Sequence, residues 1–136
     1  MSLSVKIVTP SALSFEGQAA EVVVPGWSGQ YGVLPNHANM LTLSKPGLLT
    51  LRQDITKTTD EDEAFLIGKG FVEISNSSLT ILVELCERLD DIDVEAAKTS
   101  LSDSENELAD LKSTDPKASI LKSKIELAKA RINAVQ

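Results

Sequence analysis

The chain has almost none of the side chains that do chemistry at neutral pH. His37 is its only histidine and Cys86 its only cysteine, so a serine-type triad has no spare imidazole and a zinc site lacks ligands. A lone cysteine also excludes an intrachain disulfide, and Cys86, at the apolar run from Leu79 to Leu85, is expected to be a buried, reduced thiol. Positive charge is short as well. Thirteen Lys and Arg against twenty Asp and Glu give a formal charge of -7, which leaves no broad cationic field for nucleic acid or anionic lipid. No apolar run approaches the ~20 residues that span a bilayer, and the start, Met1-Ser2-Leu3-Ser4-Val5-Lys6, lacks the basic segment and apolar stretch of a signal peptide. These absences point away from an enzyme, from DNA or RNA as a partner and from direct membrane insertion. They point toward a soluble subunit that binds proteins, with no cofactor or metal expected.

What is present is enough to fold. With 42% hydrophobic and 24% charged residues over 136 positions, the chain can bury a core as one domain or as a small domain with an appendage. From Leu3 to about Glu87 the apolar pattern has period two, in short runs between turn signals. Leu3, Val5 and Ile7 alternate; Val22-Val23-Val24 is expected to stop at Pro25-Gly26, and Leu41-Thr42-Leu43 at Lys45-Pro46-Gly47. Further strands are expected at Leu48 to Arg52, Ala64 to Ile67, Phe71 to Ile74 and Leu79 to Leu85. Frequent short strands with no intervening helix predict an antiparallel sandwich or barrel. The acidic segment Asp60-Glu61-Asp62-Glu63 reads as a solvated hairpin tip, since it has neither the glycine nor the alternating oxygen ligands of a calcium loop.

After Asp90 the period becomes helical and glycine disappears. Asp91 or Asp93 can cap a first helix with Val94, Ala97, Leu101, Leu108 and Leu111 on heptad spacing and Ser104 as a polar interruption. Asp115-Pro116 is a cap followed by proline at the first helical position, which starts a second helix carrying Ala118, Leu121, Ile125, Ala128, Ile132 and Val135. The short connection predicts an antiparallel hairpin. Charge favours that pairing: Asp93 to Leu111 holds six acids against Lys98, and Lys117 to Gln136 holds five bases against Glu126. Exposed pairs contribute only a few tenths of a kcal/mol each, so they select orientation more than they stabilise. With several alanines on its apolar stripes, the hairpin is marginal alone and needs a surface to lie on.

Two groups invite a chemical reading and decline it. Gly26-Trp27-Ser28-Gly29-Gln30-Tyr31-Gly32 has GxxGxxG spacing with no helix after it, so it is neither a dinucleotide fingerprint nor a P-loop. It reads as a turn whose glycines permit positive φ, with Trp27 and Tyr31 open to either core packing or an interface. His37 follows Pro35-Asn36 in an evident turn, as a packing residue or a partner contact.

These same residues resemble the epsilon subunit of F-type ATP synthases from end to end. The family's early signature, G-x-x-G-x-x-G-[IVL]-x-P-x-H-A, is satisfied from Gly26 through Val33 and Pro35 to His37-Ala38. Lys45-Pro46-Gly47 is similar to its x-P-G turn, and Gly68-Lys69-Gly70-Phe71-Val72-Glu73-Ile74 to its G-G-F-x-E-V strand, followed by Leu79 to Val83 and the junction Glu87 to Asp93. The resemblance implies an α+β protein: an N-terminal antiparallel β-sandwich of about ten strands at residues 1-88, which binds rotor and stalk, and a C-terminal antiparallel helical hairpin at 89-136, which is regulatory. It implies a non-catalytic central-stalk subunit that couples proton translocation to ATP synthesis, held by the gamma subunit and the c-subunit ring. The membrane is then met only indirectly. Gln30, Tyr31 and His37 are the implied c-ring contacts. The hairpin would reach the alpha and beta subunits and impede ATP hydrolysis, with Lys122, Lys124, Lys129 and Arg131 facing acidic beta-subunit residues. The implied position is peripheral, on the cytoplasmic face of a bacterial inner membrane or the stromal face of a thylakoid, and a start without a transit segment favours a bacterial or plastid-encoded product over an imported one.

Some relatives bind ATP on the hairpin through I-D-x-x-R-A. Here Ile92-Asp93-Val94-Glu95-Ala96-Ala97 keeps Asp93 but has alanine for the arginine. Arg131 aligns with one second-helix arginine, and Val135 replaces another. Weak or absent ATP binding is expected, because the guanidinium forks suited to phosphate are lost. The competing reading is a free-standing β-sandwich adaptor whose hairpin binds an unrelated helical partner.

Overall fold

A computed structural model describes residues 2–136. The chain divides into two compact units, Met1–Arg88 and Leu89–Gln136.

The first unit is built from ten strands: β1 Leu3–Thr9, β2 Ala12–Ala19, β3 Glu21–Gly26, β4 Gly29–Val33, β5 Met40–Ser44, β6 Gly47–Arg52, β7 Glu63–Ile67, β8 Gly70–Ser75, β9 Ser78–Val83 and β10 Cys86–Arg88. Alternation decides which face of each strand is buried: Leu3, Val5 and Ile7 on β1, Val72 and Ile74 on β8, and Leu79, Ile81 and Val83 on β9 all point into one core. The strand order is β10-β7-β6-β3-β5-β8-β9-β1-β2, with β4 paired to β3. β3 and β5 are joined in register at Gly26 and Ser44, and about this corner the sheet folds into two layers. Phe15 on β2 and Phe65 on β7, near opposite ends of the strand order, meet with ring centroids 5.2 Å apart, which closes the sandwich over its core.

Four details depart from the sequence reading. Most pairs are antiparallel, but β1 and β9 are parallel, with Ser4 opposite Ser78 and Val8 opposite Leu82. β3 does not stop before Pro25-Gly26; it runs through both and reverses at Trp27-Ser28 into β4. β2 and β4 lie outside the expected strands; each pairs along one long side only, where burial imposes no clean alternation. Cys86 is half-buried on β10 and not fully enclosed; burial still pushes its thiol pKa up.

The loop between β6 and β7 contains the acidic tip. Asp62 closes it from within, accepting from the Gln53 N–H at 2.9 Å, the Thr59 N–H at 3.2 Å and the Thr59 hydroxyl at 3.0 Å. These donors, the two backbone N–H groups first, hold the Asp62 carboxyl below the usual carboxylate range.

The second unit starts with a 3-10 turn at Leu89–Asp91, followed by α1 Val94–Ala109 and α2 Pro116–Ala134. Asp93 caps α1 by accepting from the Ala96 N–H at 3.0 Å, and Asp115 caps α2 by accepting from the Lys117 N–H at 2.9 Å, with Pro116 at the first position. α1 and α2 pack together as a hairpin. Its most buried residues are small or few: Ala97 and Ser104 on α1, and Ala118, Leu121 and Ala128 on α2.

Candidate protein-binding surfaces

The three glycines of the GxxGxxG segment serve three different purposes. Gly29, at φ 120°, is in the region that side-chain-bearing residues rarely adopt, and it completes the tight β3–β4 turn. At Gly26 a Cβ would come within 2.7 Å of the Tyr31 ring, and at Gly32 within 2.7 Å of the Glu21 carboxylate. Space, not φ, fixes the latter two. Glu21 is held there by Arg52, whose guanidinium donates to it at 3.2 Å across the β3–β6 pair. The segment is therefore a rigid hairpin and not a phosphate cradle.

The structure does not bring Gln30, Tyr31 and His37 together. Gln30 is exposed on β4 opposite Pro25, one pair from the turn. Tyr31 points inward: its ring packs against the core, and its hydroxyl is buried with no hydrogen-bond partner, so burial raises its pKa. His37 belongs to the opposite end of the sandwich. Its loop is tied to the β8–β9 turn by the Asn36 N–H donating to Ser77 Oγ at 2.9 Å, and the imidazole Nδ1–H donates to the Ala38 carbonyl at 2.7 Å. The length of β5, five residues at about 3.3 Å each, separates the two ends by roughly 15 Å.

The four cations of α2 form two pairs. Residues seven apart share a helix side, so Lys122 goes with Lys129 and Lys124 with Arg131, and the two-residue offset between pairs is a rotation of about 200°. Lys124 and Arg131 line a groove of about 660 Å³ together with Asp103, Ser104 and Glu107 of α1. Two carboxylates facing this groove disfavour a phosphate there, and Asp93 is already occupied as the α1 cap.

The surface that sequence reasoning missed lies on the outer face of the sandwich. Register places Leu43 of β5 opposite Phe71 of β8, Phe71 opposite Leu82 of β9, Leu82 beside Val8 of β1, and Val8 opposite Leu13 of β2. Directly paired residues share a face, so these five form one apolar row. Leu43 is 45%, Phe71 52%, Leu82 45% and Leu13 54% exposed, far from the scattered single leucines that need no explanation. A groove of about 370 Å³ runs along it beside Val8, Phe71 and Leu82. The available signal was phase: Phe71 and Leu82 alternate out of step with buried Val72, Ile74, Ile81 and Val83.

The profile of the family described as "ATP synthase, Delta/Epsilon chain, beta-sandwich domain" matches residues 2–89. The ATP synthase epsilon chain of Myxococcus xanthus is 33% identical over 132 residues, covering 97% of this chain and 93% of its own. That of Synechococcus elongatus is 36% identical over 115 residues, covering 85% and 80%. The chain belongs to the ATP synthase epsilon family. As a family member it is a non-catalytic, accessory subunit of that synthase, which sets the adaptor reading aside. The fold agrees with a chain of the Euglena gracilis mitochondrial ATP synthase at TM-score 0.82 and 17% identity, covering 99% of this chain and 82% of that one. It also agrees with one from the Tetrahymena thermophila mitochondrial ATP synthase central stalk and c-ring at TM-score 0.69 and 14% identity, covering 100% and 98%. No described helix is long and apolar enough to cross a membrane.

Proposed function

We propose that the chain is a central-stalk rotor subunit of an F-type ATP synthase, coupling proton translocation to ATP synthesis by holding rotor parts together and performing no chemistry itself. The observation that carries this reading is the exposed apolar row Leu43–Phe71–Leu82–Val8–Leu13 on the outer face. An exposed row of this kind is stable in water only at a cost, and a large permanent partner relieves it. The gamma subunit is the partner for this face. The c-subunit ring is met by an end of the sandwich, with Gln30 nearer the contact than His37. The subunit is then peripheral, on the cytoplasmic face of a bacterial inner membrane or the stromal face of a thylakoid.

The hairpin is the regulatory part. Its buried stripes rest largely on alanine and serine, so little apolar area holds it in one position, and two positions of similar free energy are available to it. Its basic α2 side chains meet acidic residues of the alpha and beta subunits in the position that impedes hydrolysis. Because the four cations divide between two sides, Lys122 with Lys129 and Lys124 with Arg131 make separate contacts.

The test is to assemble the complex with the chain truncated after Ile92 and to assay ATP hydrolysis. Faster hydrolysis is expected, and unchanged hydrolysis eliminates the inhibitory hairpin. Failure of the full chain to co-purify with gamma and the c ring eliminates the rotor assignment.

A further inference from the structure

At the end of the sandwich that carries His37, two loops enclose a groove of about 480 Å³. Ala20 at the β2–β3 corner, Leu34 and Pro35 of the β4–β5 loop and Ile55 of the β6–β7 loop supply its apolar walls, and Asn36, Gln53 and Asp54 its rim. Leu34 is 44% and Ile55 56% exposed. The volume is within the range of about 300–1,000 Å³ typical of preformed sites.

The walls are fixed before anything binds. The Leu34 carbonyl accepts from the His37 N–H at 3.1 Å, and the Ala20 N–H donates to the Arg52 carbonyl at 2.8 Å. Gln53 is held twice: its N–H donates to Asp62 and its side-chain amide to the Gln18 carbonyl, both at 2.9 Å. Asp54 is the rim group with capacity left. Its Oδ1 accepts from the Thr56 hydroxyl at 2.6 Å and the Thr56 N–H at 2.8 Å, and Oδ2 takes part in neither bond. These bonds, the hydroxyl first, hold the Asp54 carboxyl below the usual carboxylate range, so it is ionised at neutral pH. A preformed apolar wall beside an ionised carboxylate suits an apolar side chain with a cation next to it, and ordering costs little.

Charge around the groove has mainly one sign. The β6–β7 loop and the start of β7 add Asp60, Glu61, Asp62 and Glu63 against Lys57, and Glu73 of β8 is a further acid toward this end. Arg52 is paired with Glu21, and Lys6 with Glu16. His37 on the adjoining loop is the remaining titratable base. This field repels anionic lipid and nucleic acid and attracts a basic partner. The walls come from loops and a strand corner, so a partner reaches the groove with side chains and not by adding a strand. On a helix, an apolar residue and a lysine or arginine three or four positions away project from the same side.

We propose that this groove is a docking site for a basic amphipathic helix of a partner subunit, which inserts a leucine or isoleucine between Leu34 and Ile55 and sets a lysine or arginine against Asp54. The site is separate from the outer-face row and from Gln30, so it goes beyond the rotor assignment and does not depend on it.

The experiment titrates the full chain, labelled with nitrogen-15, with two synthetic helical peptides that share one leucine stripe, the first with lysine on its polar face and the second with glutamate. Saturable shifts of the Ala20, Leu34, Asn36, Gln53, Asp54 and Ile55 amides are expected with the lysine peptide and none with the glutamate peptide. Ile55→Ser and Leu34→Ser, at exposed positions outside the core, should each weaken binding at least about tenfold. Asp54→Asn, which keeps an acceptor for Thr56, should weaken it about two- to fivefold and flatten its dependence on salt. Shifts centred on the acids of α1, equal binding of the glutamate peptide, or serine variants that bind as the parent does would each overturn the proposal, because attraction to an acidic chain would then explain everything seen. Groove shifts that appear on concentrating the chain without peptide would assign the groove to a second copy and overturn it too. Co-purification with gamma and the c ring is untouched by any of these results, so failure here leaves the rotor assignment standing.

Discussion

Phe71 is the centre of the apolar row, flanked by Leu43 and Leu82, and replacing it by serine tests whether the row is an interface. The ring is 52% exposed, so the isolated subunit loses little when it is removed. Phenylalanine buries about 150–250 Å² when fully enclosed, so about 100 Å² remains for a partner to cover. At about 25 cal/mol per Å² that area contributes about 2.5 kcal/mol to binding, or a fall in affinity of about sixtyfold. The assay is titration calorimetry of the Phe71→Ser chain against the gamma subunit, with circular dichroism confirming that the sheet is intact. A second variant, Glu73→Ser, alters the same strand on the same outer face, opposite Leu41 and off the row, and should bind nearly as the parent does. If Phe71→Ser binds gamma within about threefold of the parent, the row is not the docking face and the area argument fails.

Two further outcomes follow from local geometry. Gly70→Ala would drive its Cβ onto the Leu82 carbonyl oxygen and to 2.7 Å from Val83 Cα, both backbone atoms. The β8–β9 pair must part, at a cost of about 1–3 kcal/mol, and a thermal melt should show a lower midpoint; an unchanged midpoint contradicts the contact. Asp62 has its folded-state pKa held below the unfolded value, so its contribution to the β6–β7 loop is full above the ordinary carboxylate range and is lost as pH falls through the lowered folded value. Amide exchange at Gln53 and Thr59 should accelerate over that acid range in the parent and be fast throughout in Asp62→Ala, and titration of the Asp62 carboxyl at the ordinary value would refute it.

β1, β6, β8 and β9 were legible because burial on one face writes period two into the chain, β5 because its exposed Leu41 and Leu43 alternate, and β7 because its buried run Phe65-Leu66-Ile67 is bounded by turn signals. The hairpin was legible too, since Asp115-Pro116 and heptad spacing are local signals that need no tertiary context, and Asp93 and Asp115 cap the helices as their types suggest. β2 and β4 were hidden because a strand paired along one long side, or built of Gly26-to-Gly32-type residues, need not alternate.

Candidate contact residues were the least legible part, because neighbours in sequence share no side once a strand or helix is formed. Tyr31 and Gln30 are adjacent in the chain and face opposite ways, and Lys122 and Lys124 diverge for the same reason. Composition and local period alone determined that this is a small, acidic, β-rich chain with a helical tail. Only the tertiary structure decided that Leu43, Phe71, Leu82, Val8 and Leu13, from five strands, form one surface, because strand register is set by the packing of the whole core and not by any segment within it.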